Sequence, residues 1–174
     1  DKKHVAFIII KFIGAIAFNQ PIGNWRVGSV TTMSHMFHKA SAFNQPLGLW
    51  NVSNVNSMSS MFADAVSFNQ PIGTWDVRKV LYMEGMFSNA LVFNQPIGQW
   101  CVSNVSHMYR MFSWAESFNQ PIGQWQVHRV KSMGGMFFAA KSFNQSLGDW
   151  DVGRVEIMSL MFADTLAFNQ PVLA

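Results

Sequence analysis

Five histidines and one cysteine are the side chains whose types allow metal ligation or nucleophilic chemistry: His4, His35, His38, His107, His128 and Cys101. His35 and His38 stand three apart, a spacing that brings two side chains together on one helix face. No Cys, Asp or Glu joins them at ligand spacing, so they read as solvated surface histidines rather than a metal site. Cys101 has His107 six residues on, but no third group orients such a base and no G-x-S-x-G elbow is present. The paired carboxylates Asp149 and Asp151 flank Trp150 and read as loop decoration, while Asp64 and Asp164 are too far apart to share a proton. No catalytic residue, metal ligand or cofactor is expected, and the chain reads as a non-enzyme.

Two other constellations point to binding. Arg78, Lys79, Arg129 and Arg154 make a cationic strip toward the second half, the kind of surface that attracts a polyanion such as nucleic acid or a sulfated glycan. Tyr82, Tyr109 and Trp114 are aromatics outside the fixed apolar positions, and Tyr and Trp are favoured interface anchors. A net charge of +3 is a small excess for 174 residues and does little to favour acidic partners.

All of these residues sit on a repeat. The block Phe43-Asn44-Gln45-Pro46-Leu47-Gly48-Leu49-Trp50 recurs from Phe18, Phe68, Phe93, Phe118 and Phe143, and a truncated copy starts at Phe168, each 25 residues from the last. Between copies runs Trp-x-Val-x-x-Val-x-x-Met-x-x-Met-Phe-x-x-Ala-x-x-Phe. A fixed period of this length is the signature of a solenoid whose units touch only their neighbours. Residues 1–174 therefore read as one domain, with 1–17 a degenerate first coil and 168–174 a truncated last one. Val5, Phe12, Ala15 and Phe18 fall on the columns of Val30, Phe37, Ala40 and Phe43, so the apolar run from Val5 to Phe18 is a coil, not a signal peptide. It is also shorter than the roughly 20 residues a bilayer requires, and no transmembrane segment is expected. The absent initiator Met and the stop at Ala174 suggest a mature product or a piece of a longer chain.

Val55, Met58, Met61, Phe62, Ala65 and Phe68 have the spacing of one helical stripe, predicting a short helix over roughly Met58 to Ala65. Trp50-x-Val52 alternates, predicting a short strand around Leu49 to Ser53 that pairs in parallel with its successors. The expected fold is α/β: a leucine-rich-repeat-like solenoid of about seven coils, each a short strand plus a short helix, curved because helices stack wider than strands. Hydrophobic residues at 49% and charged ones at 12% exclude disorder. One cysteine excludes an intramolecular disulfide and leaves the redox compartment open.

The fixed columns have physical roles. The tryptophans Trp25 to Trp150 should stack in the core, and all 12 methionines fill the two columns beside them. The glycines of the Gly23 column imply a close approach that a side chain would block. Asn19, Asn44, Asn69, Asn94, Asn119, Asn144 and Asn169, each followed by Gln, are expected to form an internal amide ladder satisfying turn groups of neighbouring coils.

The unit Phe-Asn-Gln-Pro-Ile-Gly-x-Trp-x-Val-x-x-Val-x-x-Met-x-x-Met-Phe-x-x-Ala resembles the 25-residue repeat of BspA-like surface proteins, found in mycoplasma-type lipoproteins and in many protist and algal proteins. The resemblance covers the chain from about Val5. It implies a leucine-rich-repeat-like fold, an extracellular or cell-surface location, and a role in surface attachment or protein binding. The expected function is a non-enzymatic scaffold for a protein partner, or a structural subunit of a larger assembly, with polyanion binding as the alternative.

Overall fold

The computed structural model describes residues 11–172. None of these residues is in an α-helix, and extended pairing is confined to five isolated parallel bridges that link Thr32, Ser57, Tyr82, His107, Ser132 and Ile157 in succession. The strand-plus-helix coil is thus overturned. Each 25-residue unit is a closed chain of tight turns, here called coil 1 (18–42), coil 2 (43–67), coil 3 (68–92), coil 4 (93–117), coil 5 (118–142) and coil 6 (143–167).

The reason is visible in the hydrogen bonds of residues 58–65. Met61, Ala63 and Ala65 donate to the carbonyls of Met58, Ser60 and Phe62, each bond closing a turn of four residues. The alternate amides go elsewhere: Met58, Ser60, Phe62 and Asp64 donate to Tyr82, Glu84, Met86 and Ser88 of the next coil at 2.8–2.9 Å. A helix would need Phe62 to bond back to Met58, and that donor is already taken. Ser60 and Asp64 have φ of 53° and 59°, the left-handed value that the third residue of a type II turn requires. Turns closed over three residues present a side chain inward at the same spacing as a helical stripe, which is why the apolar pattern mimics a helix.

Among the described residues positive φ is confined to two columns. One holds His35, Ser60, Gly85, Arg110, Gly135 and Leu160; the other holds Gly14, Lys39, Asp64, Asn89, Trp114, Ala139 and Asp164. A left-handed residue with a Cβ costs roughly 1–2 kcal/mol. Burying a Phe or Met side chain returns about 1.5–3 kcal/mol, and each interior coil buries two of each. Packing therefore dictates the backbone.

The expected strand at 49–53 is also absent. Trp50 donates its amide to Leu47 and Val55 to Val52, so this stretch is two further corners. Pairing falls instead at Ser57, where Asn56 donates back to Thr31 and Met58 forward to Tyr82. With no helix to widen one side of the stack, the premise for its curvature goes as well.

The core runs unbroken from Ile22 to Met161. Phenylalanines lie face to face in pairs across each coil boundary, Phe62 on Phe68 at 3.9 Å, and each stacks on its counterpart 25 residues on, Phe62 on Phe87 at 5.7 Å and Phe68 on Phe93 at 6.1 Å. Trp75 lies parallel to Trp100, 6.5 Å away. Its indole N–H donates to the carbonyl of Leu47 in the preceding coil, and Trp50, Trp100, Trp125 and Trp150 repeat this bond on Ile22, Ile72, Ile97 and Ile122. Trp25, in the first coil, is only half buried. Phe12 joins the aromatic column on Phe37 at 5.6 Å, while Val5 and Ile8 to Ile10 lie outside the described residues. The glycine column is a close approach: a Cβ on Gly23 would sit 2.7 Å from the Pro46 carbonyl oxygen. No helix among the described residues is long and apolar enough to cross a membrane.

Candidate interaction face

The Asn–Gln pairs lie at the rim of the core, half buried in the interior coils. Asn69 Oδ1 accepts both the Asn94 amide at 3.0 Å and Gln95 Nε2 at 2.9 Å, and this double acceptance recurs from Asn19 through Asn44, Asn94, Asn119 and Asn144. Their oxygens are committed to the neighbouring coil, and Asn169 donates its amide to Asn144. Side chains free to meet a partner therefore come from other columns.

The richest of these follow the bridge position, where alternate residues point outward. Thr32, Ser34, Ser57 and Ser59 form a row of hydroxyls across coils 1 and 2, joined at 3.1, 2.7 and 3.3 Å, and Ser59 Oγ donates to Glu84 at 2.7 Å. In coils 3 and 4 the same two columns hold Tyr82, Glu84, His107 and Tyr109, and Trp114 stands in a neighbouring column. Tyr82 is 40% exposed and its ring lies 5.6 Å from His107, whose Nδ1 is 2.9 Å from Ser106 Oγ. Tyr109 is 41% exposed; Arg110 stands 5.2 Å over its ring. Trp114 is 45% exposed and meets Phe138 edge-on at 5.8 Å.

Tyr82 thus belongs to coil 3, while Tyr109 and Trp114 share coil 4, and each has its own neighbour rather than touching the others. His107, which shares the column of Tyr82, joins this face together with Arg110 and Phe138. So do Gly134 and Gly135, which form its floor. A Cβ on Gly134 would come within 3.1 Å of the Tyr109 ring and one on Gly135 within 3.3 Å of Arg110 Cγ. The signal for them was translation: residues 25 or so apart are neighbours, so small residues in coil 5 leave room for large ones in coil 4.

The basic strip is largely internally paired. Arg78 grips Asp76 with Nε and Nη2 at 2.8 and 2.7 Å. That hydrogen-bonded guanidinium holds the Asp76 carboxyl down at about 2, and Arg78 is itself raised. Lys79 donates to Asn54 and Arg129 to Asn104, and those amides donate in turn to the Gly28 and Arg78 carbonyls. Arg154 is exposed in coil 6.

Elsewhere, Cys101 is exposed with Ser103 Oγ 3.5 Å from its sulfur, and His107 points to Ser106 instead. Asp149 is 3.5 Å from Gln124 and Asp151 accepts the Gly153 amide, so the two flank Trp150 without sharing a proton. His4 lies outside the described residues. His35 and His38, expected to meet across one helical turn, do meet, but across a tight turn, with their Nδ1 atoms 3.4 Å apart. A carboxylate does join them, from the next coil: Asp64 Oδ2 is 3.6 Å from His38 Nε2, and its Oδ1 accepts Asn89 Nδ2 at 2.7 Å. Partial burial, then the charges of His38 and Lys11, lower His35 below the ordinary imidazole value. Among the described residues no three His, Cys, Asp or Glu side chains converge as a metal cluster.

A family model described as a mycoplasma protein of unknown function, DUF285, matches residues 1–95 and again 71–174. No match is found to a curated protein or to a solved structure.

Proposed function

As the chain belongs to this mycoplasma family of unknown function, DUF285, a family of repeats, we propose that it is a non-enzymatic scaffold that binds a protein through the face bearing Tyr82, Tyr109 and Trp114. What supports the reading most is the contrast within the columns. The positions that hold Thr32, Ser34, Ser57 and Ser59 in coils 1 and 2 hold Tyr82, Glu84, His107 and Tyr109 in coils 3 and 4. A rigid backbone lifts large aromatics out of an otherwise hydroxyl-bearing surface, and rigid exposed aromatics lose little entropy on binding. The finer likeness to BspA-like surface proteins, with surface attachment and an extracellular location, belongs to this reading, as does a role as a subunit of a larger assembly.

Affinity capture from the source cells, with the wild type beside the triple variant Tyr82→Ala, Tyr109→Ala, Trp114→Ala, tests it. Loss of a captured protein, with the melting temperature preserved, supports the face. Retention of every partner removes it.

Polyanion binding through Arg78, Lys79, Arg129 and Arg154 is the second reading. It is the weaker because Arg78 is neutralised by Asp76 and two of the other cations are engaged by asparagines. Salt-insensitive or absent binding to nucleic acid and sulfated glycan would dismiss it.

A further inference from the structure

We propose that His35 and His38 form a two-imidazole site for a divalent transition metal, with Asp64 as the outer partner that fixes His38. Two nitrogens bound tetrahedrally at roughly 2.0–2.1 Å lie about 3.3–3.4 Å from each other. The two Nδ1 atoms are 3.4 Å apart, which matches that edge and is long for a hydrogen bond. With Nδ1 of His38 turned to the metal, its Nε2 faces the Asp64 carboxylate at 3.6 Å. A carboxylate on the far nitrogen of a ligating histidine sets its tautomer and raises its basicity.

Asp64 is positioned in turn. It sits in a left-handed column with φ of 59°, and Asn89 in coil 3 holds its other oxygen at 2.7 Å. Three successive coils therefore contribute: two ligands from coil 1, the outer carboxylate from coil 2, and the amide that orients it from coil 3. His35 is left-handed too, with φ of 61°, and this turn folds its ring back toward His38 at a centroid distance of 5.5 Å. Both histidines are half buried, so one side stays open for water or a partner's donor to complete the coordination. Imidazole nitrogen favours zinc, copper and nickel over magnesium or calcium.

The test is calorimetric titration of the untagged, metal-free chain with Zn2+, and separately with Ni2+ and Mg2+. One saturable site for Zn2+ and Ni2+ and none for Mg2+ is the expected result. His38→Ala and His35→Asn, the latter chosen because Asn tolerates positive φ, should each weaken Zn2+ binding at least about tenfold, as two-point attachment becomes one. Asp64→Asn should weaken it by about 10-fold or more, the range for outer-shell partners, and His4→Ala and His107→Ala should leave it unchanged. Melting temperatures show whether the variants are folded; should His38→Ala unfold, His38→Gln replaces it. Absence of a saturable site, wild-type affinity in either the His35 or the His38 variant, or loss of binding in His4→Ala would each overturn the proposal.

Discussion

The indole N–H of Trp75 donates to the carbonyl of Leu47, 28 residues earlier and 3.1 Å away. One side chain thus joins two coils while its ring fills the core of both. Trp75 is 4% exposed, whereas Trp25 is half buried. Trp75→Ala should cost about 3–5 kcal/mol, and Trp25→Ala distinctly less. Chemical denaturation of the two variants gives the comparison, and equal losses would contradict nearest-neighbour stacking.

The ladder uses the Asn69 oxygen, which accepts from Asn94 N and Gln95 Nε2. Asn69→Ala orphans the Asn94 amide, while Gln95 Nε2 keeps its bond to the Asn69 backbone carbonyl, and should destabilise by about 1–3 kcal/mol. Asn69→Asp keeps an acceptor oxygen and should be milder at neutral pH. Melting temperatures that rank Asp below Ala would show that the oxygen is not what matters.

The left-handed columns make an opposite pair of substitutions informative. Leu160 has φ of 57° and is 64% exposed, so glycine there removes strain and loses little packing. Leu160→Gly should raise stability by up to about 1 kcal/mol. Gly85 has φ of 57°, and a Cβ would meet Ser60 Oγ at 3.3 Å; Gly85→Ala should lower stability by a similar amount. Thermal melts of both variants decide the signs.

Asp76 has its carboxyl lowered from 3.8 to about 2, chiefly by the hydrogen bond from Arg78. A depressed carboxylate favours the folded state above the unfolded value, and this contribution disappears as pH falls from 3.8 toward 2. The pair is exposed, so its effect on stability is small. Following the carboxyl carbon by NMR should give the low midpoint in the wild type and a return toward 3.8 in Arg78→Ala; an unchanged midpoint would break the assignment.

Much of this was legible. The period located each neighbour at 25 residues, and the Trp, Phe and Asn columns behave as packing and ladder positions because a stack imposes the same surroundings on every copy. The helix was not legible. Met58, Met61, Phe62 and Ala65 face inward under either backbone, since tight turns and helices both return a side chain about every three residues. Sequence carries no separate sign for the left-handed residues: Ser60, Arg110 and Leu160 occupy such a position without being glycine. Tyr82, Tyr109 and Trp114 stood out as aromatics off the core columns. His107 and Asp64 also stood out, but in other pairings, and Gly134 did not, because what each of the three touches is set by the adjacent coil.

The register that turns Tyr82, Tyr109 and Trp114 outward follows from the chain of turns, so the backbone of residues 58–65 is the point to measure. NMR scalar couplings and chemical shifts report φ at Ser60 and Asp64. The expected result is positive φ at both, as at 53° and 59° here, with the Phe62 amide protected by the Met86 carbonyl of the next coil. Right-handed helical values from Met58 to Ala65 would contradict the fold and the face built on it.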